Sequence, residues 1–191
     1  EGHSALAPNF VNAIHVASSL VESIQRVQQN LQRNGYQDLG YDIPYTTVHV
    51  GKIAGGTALN IVPNSCTVDY EIRHLVEDSS TDIQNQILQQ ITAHFQDQIE
   101  VNEVNQYPGL KTSPTIDAVK FMQELLPPDT AIGNISFGTE GGLFQNALHC
   151  PVVVCGPGDI AVAHRPNEFV EVSQIQLCEI FLNKLLESIK Y

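Results

Sequence analysis

The residues of this chain with the best prospects for chemistry lie in three glycine-bearing loops, on one strand and near the amino terminus. His164 sits in Gly156-Pro-Gly-Asp-Ile-Ala-Val-Ala-His-Arg-Pro-Asn-Glu168, directly after the apolar run 152–155. Loops at the carboxyl ends of buried strands collect ligands and catalytic groups. A neutral imidazole there is a good zinc ligand, and Glu168 could orient its second ring nitrogen. The plainer alternative is a surface histidine beside a solvated carboxylate. A second loop, Gly138-Thr-Glu-Gly-Gly142, opens a helix. Its glycines let a ligand approach the backbone and its first N–H groups are free to bind one. Glu140 would equally suit a simple helix start, through the helix dipole.

Other candidates are weaker taken singly. His3, in Gly-His-Ser-Ala, could be an exposed terminal histidine, and Gly55-Gly-Thr-Ala-Leu-Asn60 a hairpin turn. Arg73, in Asp69-Tyr-Glu-Ile-Arg73, would point outward from a strand. His15, His49, His74, His94 and His149 have no ligand-like spacing and read as structural. No Gly-x-Ser-x-Gly elbow, P-loop or dinucleotide fingerprint occurs. A catalytic metal needs about three protein ligands, so His164 alone cannot hold one.

The elements that would position these residues follow from periodicity. Asn9 is expected to cap a helix to about Arg33, with Val11, Ile14, Val21, Ile24 and Leu31 on its apolar stripe; Asn34-Gly35 ends it. Strands are predicted over 45–54 and 67–74, antiparallel and separated by Gly55-Gly56 and Pro63-Asn64. A helix over 81–96 turns Ile83, Ile87, Leu88, Ile91 and Phe95 inward, and a strand over 100–105 follows. The order α-β-β-α-β is a ferredoxin-like unit without its first strand, so the chain is expected to begin inside a domain. Residues 107–114, rich in Pro and Gly, form the boundary between a domain over 1–108 and another over 109–191. The second is expected to be α/β: helices over 115–126, 142–147 and 173–189, with short strands over 131–137 and 152–155. Two such strands make a thin sheet, as in half of a domain.

Composition removes several functions. Net charge is −12 with nine Lys plus Arg and no basic stretch, which argues against nucleic acid and anionic membrane as partners. No apolar run approaches the ~20 residues that cross a bilayer. Cys66, Cys155 and Cys178 lie among apolar neighbours and read as small, reduced core residues, pointing to a cytoplasmic setting.

Taken together, five segments resemble the M20 family of zinc aminoacylases and peptidases. They are Gly2-His-Ser-Ala with Pro8 and Asn12-Ala-Ile14, Gly55-Gly-Thr-Ala-Leu-Asn-Ile-Val-Pro63, Asp69-x-x-x-Arg73, Gly138-Thr-Glu140 and Ala163-His164-x-Pro-x-Glu168. Each is weak alone, but their order and spacing cover nearly the whole chain.

The resemblance implies a lid, or dimerisation, domain followed by the carboxyl-terminal part of a zinc-binding catalytic domain. The activity implied is removal of the N-acyl group from an amino acid, first of all N-acetylornithine to ornithine and acetate in arginine biosynthesis. Succinyl-diaminopimelate or N-acyl amino acids in general are the alternative substrates, and a non-catalytic dimerisation module the alternative class. By the same resemblance His164 is the last zinc ligand of a two-zinc site, with cobalt as a possible replacement. His3 is the lid histidine that reaches the partner subunit's site in a homodimer and stabilises the oxyanion. Asn60, Arg73, Thr139, Glu140, Gly156 and Gly158 are substrate-side positions. The family's other metal ligands, its general base and their motifs do not occur in this sequence, so the chain alone is expected to be inactive.

Overall fold

A computed structural model of the chain describes residues 1–95 and 98–190. The chain divides into two compact units: Glu1–Gly109 with Asn134–Ser136, and Leu110–Gly133 with Phe137–Tyr191.

The first unit opens with strand β1, Gly2–His3, and a 3-10 turn over Ser4–Asn9. Helix α1, Ala13–Asn34, is capped by Asn12, whose side-chain oxygen accepts from the N–H groups of Ile14 and His15. The expected cap at Asn9 is therefore displaced by three residues, because Pro8 and Asn9 are spent in the 3-10 turn. The buried stripe shifts with it. Ala17, Ile24 and Leu31 are buried, with Leu20 and Val27 partly so, whereas Val11 and Ile14 stay exposed. This spacing keeps one helical face turned inward. The N–H of Gly35 closes the helix on the carbonyl of Leu31.

Strand β2, Thr47–Gly55, pairs antiparallel with β4, Cys66–Arg73. Val48 faces Ile72 and Val50 faces Tyr70, after which Gly51 forms a bulge. Between them β3, Ile61–Val62, pairs antiparallel with β1. Helix α2, Ser80–Phe95, contributes Ile83, Ile87 and Ile91 to the interior. Ile24, Leu31, Val48, Ile83 and Ile87 form the core, with Tyr70 and Ile72 packed against it. Ser23, buried on α1, donates to the carbonyl of Ile87 at 2.7 Å and so fixes the register of the two helices. The N–H of Val48 points away from β4 and donates to the Gln28 side chain of α1. Thr46, also buried, accepts from the N–H of Leu75 and donates to Asp78, which locks the turn after β4.

The strand expected over 100–105 does not form. In a ferredoxin-like unit the last strand pairs with the first, and here the only strand before α1 is the two-residue β1, which is taken by β3. An extended segment without a partner has no ladder to join. The expected end of α2 at Gln96 lies outside the described residues.

The second unit contains α3, Asp117–Leu125, α4, Gly141–Leu148, and α5, Val172–Ser188. Val119 of α3 and Phe181 of α5 are buried. The strands expected over 131–137 and 152–155 are absent for the same reason as that over 100–105, and most of their residues are exposed. The Thr112 hydroxyl donates to the carbonyl of Val152 at 2.6 Å and so ties segment 152–155 to residue 112. The fold class stands as expected, mixed α and β with small sheets.

Candidate active-site residues

In the first unit, His3 and Asn60 are brought to one corner by the β1–β3 pairing. His3 lies opposite Ile61, and the N–H of Ser4 donates to the carbonyl of Asn60 at 3.0 Å. The His3 ring has a definite orientation. Its Nδ1 accepts from the N–H of Ala5 at 3.1 Å. In the neutral ring the proton therefore sits on Nε2, leaving an exposed N–H donor. Arg73 projects from the exposed face of β4, as expected. Its Nε and Nη2 form a fork with the two oxygens of Glu71 at 3.0 and 3.3 Å, and Nη1 donates to the carbonyl of Ser136 at 3.5 Å. The fork restricts the guanidinium to one plane.

In the second unit, Thr139 and Glu140 stand at the start of α4. Thr139 Oγ1, not the carboxylate of Glu140, accepts from the N–H of Gly141 at 3.1 Å. The exposed Glu140 carboxylate makes no cap hydrogen bond. A Cβ at Gly141 would lie 2.7 Å from Leu110 Cδ2, so any larger residue there would have to displace the Leu110 side chain. Gly156 and Gly158 are exposed; Gly158 has φ of +114° and its N–H donates to the Gln174 side chain of α5 at 2.6 Å.

His164 lies just past a 3-10 turn over Ile160–Val162, which Asp159 caps. It is exposed and left-handed, with φ of 58°, and Asn167 follows at 61°. Left-handed non-glycine residues are uncommon and persist where surroundings impose them. Here the agent is Glu168, whose carboxylate accepts from the His164 backbone N–H at 2.9 Å. This corrects the expected role of Glu168: it holds the backbone of His164 rather than the imidazole.

Of the histidines read as structural, His74 bridges the carbonyls of Leu75 and Tyr107, and His149 closes α4 in a left-handed cap. His15 and His49 are exposed, and His94 lies in α2. The cysteine reading needs correction. All four thiols are free, but Cys66 and Cys178 are only half-buried, and Cys155 is exposed because segment 152–155 joins no sheet. A shallow cavity of about 270 Å³ in the second unit is lined by Lys111, Thr112, Gln145, His149 and Cys150, none of them a candidate above.

Among the described residues no three His, Cys, Asp or Glu side chains gather as a metal site would need. The described residues therefore do not by themselves fit a metal centre, and no catalytic step through a metal follows from them. Among the described residues no helix is long and apolar enough to cross a membrane. Neither the β1–β3 pair, whose strands of two residues show no periodicity, nor the Glu168 clamp is visible in the sequence pattern.

Residues 1–99 match the peptidase dimerisation domain of the M20 family. The chain belongs to that family of peptidases. Its named relatives are narrower. The acetylornithine deacetylase of Myxococcus xanthus is 32% identical over 189 residues, covering 95% of this chain and 48% of that protein. The acetylornithine deacetylase of Aliivibrio fischeri (strain ATCC 700601 / ES114) is 28% identical, covering 97% and 49%. The chain thus spans about half the length of the curated relatives it matches. Among solved structures, an M20 family metallo-carboxypeptidase from Sulfolobus solfataricus matches with a TM-score of 0.58. At 18% identity, over 94% of this chain and 54% of that one, the likeness concerns the fold.

Proposed function

We propose that this chain is the lid (1–108) and carboxyl-terminal catalytic portion (109–191) of a cytoplasmic, zinc-dependent amidohydrolase. It acts as a homodimer through the lid and converts N-acetylornithine to ornithine and acetate. The observation that carries this reading is alignment with acetylornithine deacetylases over nearly the whole chain.

Amide hydrolysis places negative charge on the carbonyl oxygen in the tetrahedral transition state, and a fixed N–H donor aimed at that oxygen lowers the barrier. His3 is such a donor, because the Ala5 N–H holds its Nδ1 and leaves the Nε2 proton facing out. Arg73, its guanidinium plane oriented by Glu71, supplies a cation for the substrate carboxylate. Asn60, next to β1, adds a polar side chain on the lid side. Gly156 and Gly158 allow close approach of backbone near that carboxylate, since nothing occupies the space a Cβ would fill. Thr139 takes the first N–H of α4 and leaves Glu140 available to pair with the side-chain amine of ornithine. His164 would be one metal ligand, with the remaining ligands contributed from outside this chain. A metal held by such a completed ligand set would supply the activation of a water at neutral pH.

The intact protein should be assayed on N-acetylornithine, N-succinyl-diaminopimelate and a panel of N-acyl amino acids. The acetyl-ornithine substrate is expected to give the highest kcat/KM; preference for the succinyl substrate, or no preference, would replace this assignment by desuccinylase or general aminoacylase. The match of residues 1–99 to a peptidase dimerisation domain favours a second reading for the isolated chain, that of an inactive dimerisation module. Stoichiometric tight zinc together with deacylase activity in the purified chain would overturn it.

A further inference from the structure

Successive side chains of β4 alternate between the core and solvent, and Thr67, Asp69, Glu71 and Arg73 make up the exposed row. Two carboxylates of that row lie near Arg73, and they are used differently. Asp69 sits across from Lys52 of β2 and has its ammonium at 3.9 Å. Glu71 turns along the strand to Arg73 instead. Its Oε1 accepts from Nε at 3.0 Å and its Oε2 from Nη2 at 3.3 Å, which occupies the side edge of the guanidinium. The end edge, one N–H each of Nη1 and Nη2, is left untouched by Glu71. Nη1 also donates to the Ser136 carbonyl at 3.5 Å, a long contact that the shorter, charge-assisted bonds of a carboxylate outcompete. The Arg73 and Glu71 side chains are 54% and 52% exposed, so packing does not immobilise either one and the fork is the closest restraint on Arg73.

We infer that Glu71 is a positioning residue that sets specificity: by taking the side edge of Arg73 it presents the end edge, Nη1 and Nη2, to a planar carboxylate of the ligand. This rests on the carboxylate-binding role proposed for Arg73 and deepens it. The ligand class that fits is an N-acyl amino acid with a free carboxylate, whose two oxygens match the two N–H groups; the carboxamide of the same acid offers one acceptor and no charge. Glu71 acts on such a ligand in two opposed ways. It repels the incoming carboxylate, an effect of about twofold at an exposed, salt-screened position. It also spares the ligand the ordering of a long, rotamer-rich side chain, an effect of about two- to tenfold. Glutamine separates the two. Glu71→Gln and Glu71→Ala lose the charge alike, but only glutamine keeps an acceptor for the Arg73 Nε–H.

The first measurement needs no substrate. In the purified chain, hydrogen exchange of the Arg73 Nε–H is followed by heteronuclear NMR, with circular dichroism to confirm that each variant is folded. Exchange should be slowest in the parent, intermediate in Glu71→Gln and fastest in Glu71→Ala; equal rates in parent and alanine variant would overturn the inference. The second measurement is steady-state kinetics of the intact protein on an N-acetyl amino acid and on its carboxamide. Glu71→Ala is expected to raise KM about threefold above Glu71→Gln with kcat little changed, and to narrow the preference for the free acid over the carboxamide. Arg73→Ala should raise KM further, and adding Glu71→Ala to it should change nothing more, because Glu71 acts through Arg73. Equal KM in the glutamine and alanine variants, a change confined to kcat, or additive losses in the double variant would overturn the role of Glu71 alone. An unchanged KM in Arg73→Ala would overturn the role of Arg73 and the inference with it. A protein that turns over no N-acyl amino acid would overturn the deacylase reading, while the Nε–H exchange still decides whether Glu71 holds Arg73.

Discussion

Replacing Glu168 by alanine tests how the backbone at His164 is held. The bond from the His164 N–H to the Glu168 carboxylate is 2.9 Å long and exposed to water. Exposure puts its net worth near the lower end for a charged acceptor, about 1 kcal/mol. Opening of that amide should then become easier by the same amount, which is about a fivefold faster hydrogen exchange. The change has a further driving force, because a left-handed conformation costs an L-residue about 1–2 kcal/mol. Without the carboxylate, His164 is free to relax to negative φ. The assay is amide exchange followed by NMR at His164, with the Ala161 amide as the internal control. Ala161 is held independently by Asp159 at 2.8 Å and should keep its rate. Glu168→Gln keeps a carbonyl acceptor and should fall between parent and alanine variant. An unchanged His164 rate in the alanine variant would refute the clamp; an equal change at Ala161 would show that the whole loop had unfolded instead.

Three other perturbations address the core, the sheet and the lid corner. Ile87 is fully buried, so Ile87→Ala should cost about 2–5 kcal/mol in urea unfolding followed by circular dichroism; a cost near zero would mean that the α1–α2 core is not as described. Burial raises the Tyr70 phenol above 10.0, so its neutral form stabilises the fold, with that stability present below the ordinary value and lost as pH rises through the raised one. Tyr70→Phe should flatten the alkaline fall in stability, and an unaltered slope above pH 10.0 would assign that fall to other groups. In the intact protein His3→Ala should lower kcat about 10²–10³-fold with little change in KM, the signature of a lost oxyanion donor; a change confined to KM would move His3 to substrate binding.

Much of the first unit was legible because its signals are local. The inward stripe of α2 follows directly from Ile83, Ile87 and Ile91, and β2 from the alternation of Val48 and Val50 with Thr47 and His49. The cap of α1 was misplaced because Asn9 and Asn12 are equally good capping residues, and only the 3-10 turn at Pro8 decides between them. The strands over 131–137 and 152–155 that failed to form were read from apolar content, which reports a tendency to be covered but says nothing about whether a partner backbone is at hand. The candidate site was visible as residue types only. What sequence could not carry was orientation: the fixed tautomer of His3 comes from Ala5, the plane of Arg73 from Glu71, and the left-handed turn at His164 from Glu168.

One side chain on α1 sets a limit on what can be added to the sheet. Among the described residues no strand pairs with the edge of β2 that faces away from β4, and Gln28 already occupies the Val48 amide on that edge. A chain docking there by backbone pairing can use only the amides beyond Val48, toward the bulge at Gly51. Gln28 therefore acts as an end stop. It fixes the register of an incoming strand without touching that strand, and shortening it would let the incoming strand slip by one side-chain repeat of two residues.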